Sequence, residues 1–116
     1  MAFINTFRRR DEADTVTFDD MRVVRTRPDG VAESLKWDDL GEVGILTTEE
    51  GPGKEDFFFV LLSLDGKRGC AIPQGAAGAD KLLARLQLLP GFDHAKVAAA
   101  SASAGNARFV CWKRPR

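Results

Sequence analysis

The chain has 116 residues, 44% of them hydrophobic and 29% charged, the length and proportions of a single water-soluble domain spanning 1–116. Two cysteines, Cys70 and Cys111, exclude a disulfide framework and a four-cysteine zinc centre, and one histidine, His94, excludes multi-histidine metal chemistry. Seventeen basic and 17 acidic side chains cancel to a net charge of zero, which removes the electrostatic hold that nucleic acid or an anionic membrane needs.

At the N-terminus, MAFINTFRRR places its arginines after a very short apolar stretch, the wrong order for a secretory signal. A flexible tail over residues 1–12 and a reducing cytoplasm are expected. No apolar run approaches the roughly 18 residues of a membrane-spanning helix, so no membrane insertion is expected. Residues 15–18 (TVTF) and 21–27 (MRVVRTR) are rich in β-branched side chains and read as strands joined by a turn at Asp19-Asp20. Pro28-Asp29-Gly30 has turn chemistry. Residues 31–37 return as a strand, with Val31, Leu35 and Trp37 on one face and Ala32, Ser34 and Lys36 on the other. Asp38-Asp39 and Gly41 break that run, and Val43 and Ile45 belong to the next strand. Residues 57–64 (FFFVLLSL) follow, and Asp65-Gly66 signals a hairpin into residues 67–72. Gly75 to Gly78 (GAAG) looks like a flexible joint.

Helix follows. Asp80 is a candidate N-cap, and Leu82, Leu86 and Leu89 form an apolar stripe that Pro90-Gly91 stops. Asp93 caps a second helix, with Phe92 and Val97 spaced as a hydrophobic staple. Its alanine-rich run reaches Ala104 before Gly105, and residues 108–113 (RFVCWK) form a final strand.

Candidate chemistry is sparse. Gly51-Pro52-Gly53-Lys54 lacks the spacing and the serine or threonine of a phosphate-binding loop, and a strand follows it instead of a helix. Glu49, Glu50, Glu55 and Asp56 lack the alternation of a calcium loop and read as a solvated acidic loop. His94 beside Asp93, with Cys70 or Cys111 elsewhere, is the sole material for a nucleophile–base pair. Yet His94 falls in the first turn of a helix, and both cysteines alternate with polar residues as small core side chains do. Arg8-Arg9-Arg10 and Lys113-Arg114-Pro115-Arg116 read as solvated basic ends. Residues 1–58 carry 14 acidic and 8 basic side chains, and residues 59–116 carry 3 and 9. The two halves can therefore interleave in one fold or match a partner's charge.

Several stretches in order resemble a family of short bacterial proteins of unknown function: Trp37-Asp38-Asp39-Leu40-Gly41-Glu42-Val43, Thr47 to Pro52 with Glu55 to Phe58, Leu89-Pro90-Gly91-Phe92-Asp93, and Ala107-Arg108-Phe109-Val110-Cys111-Trp112. The resemblance covers residues 30–113 and implies no activity. The W-x-D-L-x-x-V segment is also similar to bacterial pleckstrin-homology-like domains, where such a tryptophan closes a strand before the next bends away. Two helices followed by a strand depart from the single terminal helix of that fold.

The expected architecture is α+β: a mostly antiparallel, strongly bent sheet of six or seven strands, with two helices near the C-terminus and a final strand. Trp37, Val43, Ile45, Phe58, Val60, Ile72, Leu82, Leu86, Phe92, Val97, Phe109 and Cys111 are the expected core. No cofactor, metal or nucleic acid is expected. The leading functional expectation is a non-catalytic cytoplasmic binding or protein-interaction module. A small enzyme using His94 and Asp93 or a cysteine, or a toxin-neutralising immunity protein, are the alternatives. Because FFFVLL is apolar on both faces, it reads as a central core strand covered on both sides, one by the helices and the other by a second layer of the same chain, a curled-over sheet or a second protomer; if the sheet does not close over itself, Phe57, Phe59 and Leu61 are the expected interface of a homodimer.

Overall fold

In the computed structural model, which describes residues 14–49, 57–103 and 105–115, local turn chemistry accounts for the first three strands. β1 (Thr15–Phe18), β2 (Arg22–Thr26) and β3 (Ala32–Lys36) form an antiparallel sheet in that order. The Asp19 carboxylate accepts the Met21 and Arg22 amides at 2.8 and 3.0 Å, which closes the first turn and holds that carboxyl below its ordinary 3.8, the Met21 bond contributing most. At the second turn the Asp29 carboxylate accepts the Val31 amide, and Gly30 takes a φ of 88°, a left-handed value that glycine adopts without a Cβ clash. Val16, Val23 and Leu35 turn inward from this sheet and are buried.

A single 3₁₀ turn at Trp37–Asp39 carries the chain straight into β4 (Leu40–Thr47). Gly41 therefore lies inside β4, where a Cβ would press on the Leu64 backbone. β4 pairs with β5 (Phe57–Ser63) on one side and β7 (Ala107–Lys113) on the other, and β6 (Gly69–Pro73) extends β5, giving the antiparallel order β6-β5-β4-β7. The expected hairpin at Asp65-Gly66 joins β5 to β6. Asp65 accepts the Ser63 hydroxyl and the Lys67 amide at 2.6 and 2.9 Å, and the Ser63 bond is the main cause of its lowered pKa. The fold is thus α+β, with the described residues giving seven antiparallel strands divided between sheets of three and four.

Helix α1 (Ala79–Leu86) and helix α2 (His94–Ser101) lie between β6 and β7 in the chain. α1 packs near β1, and α2 packs on β7 and β4. Leu82 and Leu86 are fully buried, as their spacing predicts, while α1 ends before Leu89. The N-cap of α1 is Gly78, not Asp80, so the GAAG joint is a close-packed corner: the Val16 amide donates to the Ala77 carbonyl at 2.9 Å across it. Asp93 caps α2 as expected, accepting the Ala95 amide at 3.1 Å, with Phe92 buried and Val97 packed against the core.

Three expectations about side-chain direction are corrected. Phe57, Phe59 and Leu61 are not the exposed face of β5; they are buried against the chain's own core, while Phe58, Val60 and Leu62 are half-buried on the other side. The reason is that both helices and the three-stranded sheet lie toward the same, inner face. Phe58 and Val60 accordingly leave the core list, and Val31, past its turn, is exposed. Arg114 is not a solvated end. Its guanidinium donates to the carbonyls of Leu40 and Trp37 at 2.8 and 2.7 Å, tying the chain's end to the start of β4. The acidic first half and basic second half interleave through Arg68–Asp39 and Arg108–Glu42 pairs at 3.7 and 2.8 Å. Residues 1–12, Arg8-Arg9-Arg10, Glu50, Gly51 to Lys54, Glu55, Asp56, Ala104 and Arg116 lie outside the described residues.

Candidate functional site

The outer face of the four-stranded sheet follows from its registers, since residues directly paired across antiparallel strands point to one side. Three rows cross the sheet from β6 to β7. One is Gly69, Leu62, Glu42, Lys113; the middle one is Ala71, Val60, Gly44, Val110; the third is Pro73, Phe58, Leu46, Arg108. Nine of these twelve positions are uncharged and apolar. The three charges are Glu42 on β4 and Arg108 and Lys113 on β7; Arg108, in the third row, donates to Glu42, in the first, at 2.8 Å, so this ion pair runs past the middle row at Gly44. An antiparallel sheet with one wet face ordinarily alternates apolar and polar residues. β5 does not: Phe58, Val60 and Leu62 stay half-buried on this face, and Leu46 and Val110 beside them are 37% and 36% exposed. Met21, Val31, Leu64 and Leu88 are also exposed, but each lies outside the strands and helices, where single apolar residues are unremarkable. Among the described residues, the sheet face gathers them.

Backbone geometry shapes this face. Cys111 is the extra residue of a bulge opposite Val43 and Gly44, so Val110 points outward while Cys111 and Trp112 are both buried. The bulge is fastened from inside: the Asp93 amide donates to the Cys111 carbonyl and the Trp112 indole to the Pro90 carbonyl, at 2.8 and 2.9 Å. At the face's centre Gly44 carries no side chain. A Cβ there would approach the Phe109 carbonyl oxygen to 3.0 Å, so the close passage of β7 favours glycine, which is itself buried between Val60 and Val110.

The residues singled out for chemistry do not converge. His94 is exposed in the first turn of α2, with its ring against Phe92 at 5.2 Å between centroids. Asp93 is occupied as the cap of that helix. Burial pushes both thiols above the ordinary 9.0, helped by the Glu33 carboxylate at Cys70 and by Asp93 at Cys111. Both sulfurs are thus held as neutral thiols, the unreactive form. Glu49 spends its backbone amide on the Asn106 side chain at 3.1 Å, and among the described residues no group of three His, Cys, Asp or Glu side chains is placed to hold a metal.

One polar cluster escaped the sequence reading. Arg25, which points inward from β2, pairs with Asp14 at 3.0 Å and Glu33 at 3.3 Å. Glu33 also borders a cleft of about 350 Å³ between β3 and β6, lined with Leu35, Arg68 and Cys70. Each charge in the Arg25 cluster has a partner, so it closes the open side between the two sheets and leaves no free acid or base for catalysis. Leu46, Leu62 and Val110 were also missed as surface residues, although the Asp65-Gly66 hairpin held the signal: centred there, it pairs Ile72 with Phe59 and Cys70 with Leu61, and so places the even residues of β5 outside.

No protein-family model, curated protein or solved structure matches the chain.

Proposed function

We propose that this chain is a non-catalytic cytoplasmic interaction module that docks protein on the outer face of the β6-β5-β4-β7 sheet. The observation that carries this reading is the apolar patch of Leu46, Phe58, Val60 and Leu62 on the doubly paired strands β4 and β5, with Val110 beside it on the edge strand β7. Each large apolar side chain left in water forgoes roughly 1.5–3 kcal/mol of burial free energy, so a covering surface is favoured over solvent. Glu42, Arg108 and Lys113, on the same face, give a docked protein polar groups with which to set its orientation. Two unpaired, buried thiols accord with a reducing compartment, and no helix among the described residues is long and apolar enough to cross a membrane.

The reading is tested by tagged recovery of bound protein from cells. Leu46→Lys, which changes one exposed side chain, is expected to leave the circular dichroism spectrum and melting temperature unchanged while reducing recovered partner at least about tenfold, the effect of losing one central apolar contact. Met21→Lys, on a turn of the other sheet, is expected to recover it fully. Equal recovery by both variants would contradict the reading.

A further inference from the structure

We infer that the three-stranded sheet opens as a unit about the Trp37–Asp39 turn, and that the Arg114 guanidinium is the strap that holds it shut. Among the described residues the chain passes between the two sheets once: β1, β2 and β3 precede this turn, and β4 to β7 follow it. The first unit is lightly held. It turns Val16, Val23 and Leu35 into the core, and a three-stranded sheet with so few buried side chains belongs to the low-stability end of a structure. Away from the turn, its hydrogen bonds to the rest of the described chain lie at one corner. There the Val16 amide donates to the Ala77 carbonyl at 2.9 Å and the Ala77 amide to the Asp14 carbonyl at 3.1 Å.

Arg114 follows β7 and reaches both ends of the turn. Its Nε donates to the Leu40 carbonyl at 2.8 Å and its Nη2 to the Trp37 carbonyl at 2.7 Å, while its backbone amide donates to the Gly41 carbonyl at 2.9 Å. The Trp37 carbonyl also accepts the Leu40 amide. A planar guanidinium holds its donors at fixed spacing, so bridging Trp37 and Leu40 fixes the turn between them. Arg114 is itself half-buried, with its guanidinium 5.6 Å from the centre of the Trp112 ring. Two other groups reach the turn from the second sheet. The Leu64 amide donates to the Asp39 carbonyl at 2.8 Å, and the Arg68–Asp39 pair, at 3.7 Å and exposed, adds little. Swinging the first sheet outward rotates the turn's backbone, draws the Trp37 carbonyl off the guanidinium and so breaks a charge-assisted bond.

Amide hydrogen exchange of the full 116-residue chain, followed by NMR, reads the opening. Bonded pairs alternate along antiparallel strands, and the Trp37-to-Met21 and Ser63-to-Arg68 bonds place Val23 with Leu35, and Phe59 with Ile72, among them. Relative to unfolded-chain rates, the Val23 and Leu35 amides are expected to exchange at least about tenfold faster than those of Phe59 and Ile72. Arg114→Met keeps the apolar stem and removes the donors. It is expected to speed Val23 and Leu35 about tenfold or more beyond the native chain, whereas Lys113→Met, which removes the neighbouring cation, leaves them unchanged. If Arg114→Met fails to fold, Arg114→Lys takes its place; it reaches one carbonyl at a time and is expected to speed the same amides by less. Equal protection of the two sheets in the native chain would make them a single cooperative unit and overturn the inference. Unchanged Val23 and Leu35 rates in the Arg114 variant that folds, or the same acceleration in Lys113→Met, would overturn Arg114 as the strap.

Discussion

Replacing Gly78 with alanine should destabilise the fold by about 3 kcal/mol or more, a large backbone effect for one methyl group. Gly78 caps α1 with a φ of 93°, where a side chain alone costs about 1–2 kcal/mol. There is also no room: an added Cβ would collide with the Val16 carbonyl oxygen, a backbone atom that no rotamer change can move aside. The Val16 amide is bonded to the Ala77 carbonyl one residue earlier, so relieving the collision would pull β1 off the start of α1. Gly91 supplies the control, since it has a φ of 85° with open space around its Cβ position. Gly91→Ala should show only the left-handed penalty, about 1–2 kcal/mol. Urea denaturation of the two variants checks this. Equal losses would mean that the β1–α1 corner is looser than described.

The second large effect separates the two faces of β5. Leu61 has no exposed surface, and its neighbour Leu62 is half-buried. Leu61→Ala removes a fully enclosed side chain whose surroundings can collapse only in part, and should cost about 3–5 kcal/mol. Leu62→Ala should cost about 1 kcal/mol or less in the monomer, as a partly solvated truncation does. Urea denaturation of both variants gives the comparison. The reverse order would put the even residues of β5 in the core.

That reversed order is the one local reading favours, and the reason is physical. Where one face of a strand is wet, alternation reveals the inner side; FFFVLL alternates nothing, so a shift by one residue leaves the pattern unchanged. Val43, Ile45 and Ile72 were legible as core because their neighbours Glu42, Gly44 and Ala71 are polar or small. Their partners Leu61 and Phe59 become legible only when the hairpin register is carried across from Asp65-Gly66. Strand and helix identities were readable for a related reason: Asp19, Asp29, Asp65 and Asp93 each bond backbone amides within three residues, chemistry that short-range sequence encodes. What sequence leaves open is set by distant packing. The Arg25–Asp14–Glu33 cluster, the Gly78 corner and the bulge at Cys111 each depend on a partner strand at least eight residues away. The candidate site was half legible, in that an uncovered apolar face was anticipated on β5 and the wrong side of the strand was assigned to it.

The most direct test that the outer sheet face is the docking surface is photocross-linking in cells from benzoylphenylalanine placed at Leu46, at Val110 and, on a turn of the other sheet, at Met21, three exposed positions. Leu46 and Val110 are expected to link to another protein chain and Met21 is not. Links from Met21 alone, or from none of the three, would contradict the reading.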